Sequence, residues 1–370
     1  VGHSLSPDVH NRAFELANHD GVYLPLPVPT EYEHLKATLG SLLHDPRLDF
    51  AGASVTVPHK TQILQIARDW RDGGGDRLQI EIDPLVDEVG AANTVVVRRG
   101  DEHAPGSNGL TVALHNTDAP ALVTSALAAL GAPMKAGRDT DIDGHACPTD
   151  LKGLRVAVIG AGGVARAAVA GFSRLGATVV IYNRTFDRAH ALAEAFSQLS
   201  VQLQGDISEE TSADARRRRV VAAQFDRLPR TCAHIIINCT PVGMQGGPAP
   251  NGIPVPESAL LPASSDDSPR LTPEFGCCRA DADDALIGTG RVVVEPAWFN
   301  GPTLIFDTIY NPFRTPLLRA AEANGLRTLN GLDMFIRQAA AQFTLWTGRE
   351  PDQHAMRQAA ARRLFEAGEA

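Results

Sequence analysis

The stretch RVAVIGAGGVA, residues 155–165, constrains the fold of this chain more than any other. An almost wholly apolar run that breaks into glycines suits a strand buried on both faces of a parallel sheet. The small-residue run from Ala165 to Leu175 then predicts a helix, and TVVIY (178–182) predicts a second strand. Strand, helix and strand in about 30 residues make a βαβ unit. IIINCT (235–240) and TLIFDTIY (303–310) read as further strands of the same sheet.

Each glycine of GAGGVA has a chemical reading in this context. Gly160 permits the tight turn, Gly162 lets backbone approach a pyrophosphate, and Ala165 takes the third small position. Ala161, Gly163 and Val164 complete the turn and the first helical residues, whose unpaired N–H groups face the phosphates. The plain alternative is a tight turn that binds nothing. At the end of the second strand an NAD site would place a carboxylate for the ribose 2′-hydroxyl. Here the strand runs into Asn183, Arg184, Thr185 and then Arg188. A guanidinium grips a phosphate dianion in a bidentate way, so the reading favours NADP(H).

With 370 residues the chain has length for about two domains. A net charge of -9 excludes a general binder of nucleic acid or anionic membrane. No run of about 18 apolar residues is present, and the reading expects a soluble cytoplasmic protein. The five cysteines (Cys147, Cys232, Cys239, Cys277, Cys278) show no CxxC spacing, so no metal site and no disulfide framework is expected.

Upstream, ASVTV (53–57) alternates and ends at Pro58 as a strand does, and NTVVV (93–97) reads as another. LVTSALAALG (122–131) predicts a helix closed by Gly131, and a polar Gly- and Pro-bearing linker follows. Two stretches read as insertions: about 204–230, with the Arg run 216–219 as a solvated helix face, and about 262–290. From Leu332 to Ala370 the pattern is helical.

Polar clusters precede the glycine-rich segment: SLS (4–6), VTVPHK (55–60), GAANT (90–94) and HNTD (115–118). Taken singly, each has a structural reading. Ser4 and Ser6 suit helix caps, Thr56 a strand, Asn93 and Asp118 turns, and Lys60 an exposed position after a proline turn. Met244 suits a core and Gln338 a polar helix face.

Together the clusters resemble the shikimate dehydrogenase family. Its blocks stand here in order as SLSP (4–7), VTVPHK, GAANT, NTD (116–118), GAGGVA, NRT (183–185), TPVGM (240–244), DTIYNPFRT (307–315) and GLDMFIRQ (331–338). The resemblance implies an enzyme that reversibly reduces 3-dehydroshikimate to shikimate with NADPH, in the pathway to chorismate and the aromatic amino acids. It assigns proton chemistry to Lys60 and Asp118, the carboxylate orienting the ammonium. It places Ser4 and Ser6 on the substrate carboxylate with help from Tyr310, and Thr56, Asn93, Asp118 and Gln338 on the ring oxygens. On the cofactor side it adds Thr240, Met244 and Gly331.

The implied fold is α/β in two domains. Residues 1–120 with 331–370 form the substrate domain and 121–330 an NADP-binding Rossmann domain, with the active site in a cleft between them. Three departures stand out: Ala119-Pro120 after Asp118, His115 where the family often has an aromatic residue, and the size of the two insertions. The family reaches SxSP from a short apolar strand. The reading therefore expects a longer polypeptide, one that also carries another enzyme of the pathway such as a 3-dehydroquinate dehydratase. Two other functions stay open: a quinate/shikimate dehydrogenase using NAD or NADP, and a non-catalytic regulatory domain that retains the fold. Oligomeric state stays open as well.

Overall fold

The computed structural model describes residues 4–45, 47–73, 78–100, 109–132, 151–202, 220–231, 233–261 and 303–368. The chain divides into two units, Val1–Asp118 with Phe335–Ala370, and Ala119–Met334.

The first unit is built in order from α1 (Ser6–Leu16), α2 (Tyr32–His44), β1 (Gly52–Ser54), α3 (Lys60–Asp72), β2 (Leu78–Ile82), α4 (Pro84–Val89), β3 (Thr94–Arg99) and β4 (Leu110–His115). Its four-stranded sheet has the order β1-β3-β4-β2, with β3 antiparallel to both β1 and β4 and β2 parallel to β4. The Leu35, Leu39, Leu43 stripe of α2 and the Ile63, Leu64, Ala67 face of α3 bury against Val95, Val97, Val112 and Leu114 of the sheet. Each such side chain contributes about 1.5–3 kcal/mol when taken fully out of water. Of the strand expected at 53–57 only Ala53 and Ser54 join the ladder, which starts one residue earlier at Gly52. Val55 still donates to the Asn93 carbonyl, but Thr56 turns the chain by accepting from His59 N at 2.9 Å. That turn sets the start of α3. Two strands of this sheet carry no prediction from the sequence, β2 with its half-buried alternation LQIEI and β4.

The second unit holds α5 (Asp118–Leu130, from Ala119 on), β5 (Arg155–Ile159), α6 (Gly163–Arg174), β6 (Thr178–Tyr182), α7 (Phe186–Gln202), β7 (Val220–Ala223), β8 (Ile235–Asn238), β9 (Leu304–Asp307), α8 (Pro316–Ala323) and β10 (Arg327–Leu329). Then α9 (Leu332–Thr347) carries the chain back into the first unit, which ends with α10 (Gln353–Gly368). The six strands are all parallel in the order β10-β9-β8-β5-β6-β7. Successive strands run outward from β5 to β7, and the chain then returns to β8 on the other side of β5. The order therefore reverses between β5 and β8, and in such sheets ligands bind outside the carboxyl ends of the strands at the reversal.

The expected insertion at 204–230 needs correction. Its last part is core: β7 pairs with β6 from Val220 to Ala223, and Leu228 on the 3-10 helix Phe225–Arg230 is 2% exposed. A doubly wound half needs a third strand, and VVAA is too short and apolar to sit in solvent. The arginine run at 216–219 and the stretch 262–290 lie outside the described residues. Among the described residues no helix is long and apolar enough to cross a membrane, and no acid, His and Cys cluster forms a metal site.

Candidate active site

Lys60 is the first residue of α3 and Asp118 the first of α5. The Lys60 Nζ donates to Asp118 Oδ2 at 2.5 Å, with the side chains only 11% and 5% exposed. Two opposite charges this far from water hold each other in place, because either one alone would bear its full desolvation cost. The Lys60 carbonyl also accepts from Ala92 N at 2.9 Å, tying α3 to the loop that carries Asn93.

Asn93 joins the loops GAANT and HNTD. Its Oδ1 accepts from Thr117 N at 2.8 Å and from Thr94 Oγ1 at 2.9 Å. Its Nδ2 donates to Thr117 Oγ1 at 2.9 Å and to Gln338 Oε1 at 3.4 Å. The backbone just before Asp118 is thus fixed by the Asn93 amide, which has no spare donor or acceptor. A ligand hydroxyl reaching Asn93 would replace the longest of these bonds, the one to Gln338. Gln338 is half-buried on α9 and its Nε2 donates to Phe335 O. Thr117 lay within a motif, but nothing in the sequence marks it as the clasp for Asn93.

Of the other residues tied to the substrate, Ser4 and Ser6 are half-buried where α1 starts, and Ser4 Oγ accepts from Ser6 N at 3.2 Å. Thr56 is exposed. Tyr310 belongs to the second unit, whereas Ser4, Ser6, Thr56, Asn93 and Gln338 belong to the first. Tyr23 was not foreseen: its hydroxyl meets those of Ser6 and Ser54, and burial pushes its phenol above the usual range. His115 is half-buried, with Nδ1 3.4 Å from Asp83 Oδ2.

In the second unit, Gly160 has φ +117°, and an added Cβ would stand 3.1 Å from Cys239 O and from Thr240 Cγ2. Only glycine makes this turn between the ends of β5 and β8 without strain. Gly162 caps α6 without any side-chain bond, no acidic residue occupies the first turn, and a Cβ there would meet nothing within 4 Å. The helix N-terminus therefore offers its N–H groups to open space beside the sheet reversal, which fits a bound pyrophosphate. Ala165 is fully buried, where a larger residue would not pack. After β6, Asn183 Nδ2 closes the NRT turn on Thr185 O at 2.9 Å. Arg184 and Arg188 are exposed and have no carboxylate partner among the described residues, leaving both guanidinium groups for a phosphate.

The turn TPVGM is held from below. Asn238 Oδ1 accepts from Thr240 N at 2.9 Å and Thr240 Oγ1 at 2.7 Å, and its Nδ2 donates to Val242 O and to Asp307 Oδ1. Asp307 is fully buried and also accepts from Ile309 N and Thr315 Oγ1. Desolvation pushes its carboxyl up to about 6, and these three donors partly offset the rise. Met244 is 38% exposed, so it is not a core residue. Gly331 packs directly on backbone, since a Cβ would fall 2.1 Å from Thr308 O.

Three family models match the chain: the shikimate dehydrogenase substrate binding domain over residues 1–95, shikimate / quinate 5-dehydrogenase over 145–211, and the shikimate 5'-dehydrogenase C-terminal domain over 331–361. A shikimate dehydrogenase (NADP(+)) of Methanocella arvoryzae is 32% identical, covering 97% of this chain and 94% of that protein. One from Citrifermentans bemidjiense is 30% identical, covering 100% and 94%. The bifunctional chloroplastic 3-dehydroquinate dehydratase/shikimate dehydrogenase of Arabidopsis thaliana is 30% identical over 94% of this chain, which spans 42% of that protein. Among solved structures, a shikimate dehydrogenase in complex with NADP+ superposes with a TM-score of 0.65 at 25% identity, covering 98% of this chain and 92% of that one. A Thermus thermophilus shikimate 5-dehydrogenase in complex with shikimate gives 0.60 at 26%, covering 99% and 96%.

Proposed function

The chain belongs to the shikimate dehydrogenase family, and on that premise we propose that it reversibly reduces 3-dehydroshikimate to shikimate with NADPH, in the cytoplasm. The observation that carries this reading is the buried ion pair of Lys60 and Asp118. When bound, the reduced cofactor supplies a hydride to the carbonyl carbon of the substrate. The carbonyl oxygen then takes the C=O π pair and needs one proton. Lys60 Nζ donates it and becomes a neutral amine, which water reprotonates after product leaves. Asp118 fixes the direction of the Nζ–H bonds, and its own carboxylate stays unprotonated.

The first unit would hold the substrate. Ser4 and Ser6 would bond the carboxylate, and Thr56, Asn93 and Gln338 the ring oxygens. These are neutral hydrogen-bonding groups, which suit a polyhydroxylated ring because they bring no competing charge. In the second unit the turn 160–165 and the α6 N-terminus would hold the pyrophosphate, Asn183 to Thr185 with Arg188 the 2′-phosphate, and Thr240, Met244 and Gly331 the nicotinamide end. A non-catalytic role fits poorly with an intact Lys60–Asp118 pair.

The test is NADPH oxidation by the purified, folded protein on addition of 3-dehydroshikimate, with NADH and quinate as parallel arms. Turnover with NADPH and 3-dehydroshikimate is expected to exceed every other combination. No turnover would refute the reading, and faster work on quinate with NAD would reassign it to a quinate dehydrogenase.

A further inference from the structure

One turn beyond Gln338, helix α9 carries a second amide that no motif singled out. Gln342 is 1% exposed. Its Oε1 accepts from Ser54 Oγ at 2.7 Å, and its Nε2 donates to Asn93 O at 3.2 Å and to Thr94 Oγ1 at 3.0 Å. Another turn on, Trp346 Nε1 donates to Val95 O at 2.9 Å. Two side chains of one helix therefore key it to the start of β3, at Asn93 and at Val95. The Asn93 carbonyl that Gln342 holds also accepts from Val55 N at 2.7 Å, so β1 is drawn into the same clasp.

The clasp continues toward α1. Ser54, bonded to Gln342, meets the Tyr23 hydroxyl, which also meets Ser6. Behind it, His10 stacks on the Tyr23 ring at 4.6 Å and packs against Trp346 at 5.1 Å. Gln342 lies against this imidazole, yet neither ring nitrogen has a well-formed hydrogen bond. Burial pushes His10 down to about 3, so it packs as a neutral ring and sets no charge against the amide.

We infer that Gln342 is a positioning residue that fixes the spacing between Ser6 at one end of the substrate site and Asn93 with Gln338 at the other. A neutral amide is required there because the task needs one acceptor and two donors at once. A methionine of similar length fills the space but leaves the Ser54 hydroxyl, the Asn93 carbonyl and the Thr94 hydroxyl with a lost partner each. This inference rests on the substrate reading above for its kinetic arm only.

Gln342→Met is expected to raise the KM for 3-dehydroshikimate by about tenfold while kcat stays within about threefold and the NADPH KM is unchanged, since only substrate contacts lose their register. Amide hydrogen exchange at Val55 and Thr117, whose N–H groups bond to Asn93, is expected to speed up by about tenfold. Ser54→Ala removes a single partner of the same amide and should shift the substrate KM in the same direction by about threefold. Unchanged exchange at Val55 and Thr117 in Gln342→Met would overturn the inference whatever the activity. If that variant does not fold, an unchanged substrate KM in Ser54→Ala would overturn it. Absence of turnover in the unmodified protein would instead remove the catalytic reading, and the exchange measurement would still decide the role of Gln342.

Discussion

Replacing Asp307 with asparagine isolates the cost of a buried charge beneath the TPVGM turn. The side chain is fully buried, and its carboxyl is raised from 3.8 to about 6. That rise is worth about 3 kcal/mol between the two protonation states. The sign follows from the direction. A carboxyl raised in the folded state binds its proton more tightly there than in the unfolded chain. The resulting stabilisation is full below 3.8 and is lost as pH rises through about 6. Above that window the folded protein carries a desolvated carboxylate. Asparagine keeps an oxygen for Ile309 N or Asn238 Nδ2 and offers an N–H toward Thr315 Oγ1, while carrying no charge. Urea unfolding of both proteins from pH 4 to pH 8 is the assay. The stability of Asp307→Asn relative to the parent should improve by about 2 kcal/mol across that range, most of the full shift. A constant difference between the two curves would refute the argument from burial.

The other predictions test separate parts of the molecule. Arg184→Ala should raise the NADPH KM by about 10- to 100-fold, the value of a hydrogen bond to a charged group, and leave NADH rates unchanged. An unaltered preference between the two cofactors would show that Arg184 does not read the 2′-phosphate. Gly331→Ala forces a Cβ to within 2.1 Å of Thr308 O, so backbone must move, and unfolding free energy should fall by about 1–3 kcal/mol. Parent-like stability would mean that this close approach is not obligatory.

What the sequence reveals depends on the length over which a signal acts. TVVIY ends at the residues where β6 ends, because a parallel strand buried on both faces shows as an unbroken apolar run. The turn at Gly160 was readable because three independent demands fall on adjacent residues: left-handed backbone, close approach of Cys239, and an uncapped helix start. Strand β7 was hidden because VVAA is only four residues long and follows a highly charged stretch. The strand at 53–57 was drawn too long, since alternation continues into residues that the Thr56 turn removes from the sheet.

Side-chain clasps between distant segments leave no local trace. Asn93 and Gln342 are 249 residues apart, and nothing in QAAAQFTLW separates the second glutamine from an ordinary polar helix residue. Tyr23 is likewise set apart only by its contact with Ser6 and Ser54. Asn238 lies in the strand read at IIINCT and Asp307 opens the block DTIYNPFRT, but their joint support of the Thr240 turn emerges only once β8 and β9 stand side by side.

In the proposed reaction the buried Lys60 delivers the proton to the oxygen of a bound ketone. The most direct measurement is kcat for 3-dehydroshikimate reduction by Lys60→Met, with shikimate affinity determined on the same preparation. The kcat is expected to fall by about 10²- to 10⁴-fold, with shikimate bound within a few-fold of the parent affinity. A variant that keeps more than about a tenth of the parent kcat would contradict this role for Lys60, because general acid catalysis by this ammonium is worth more than that.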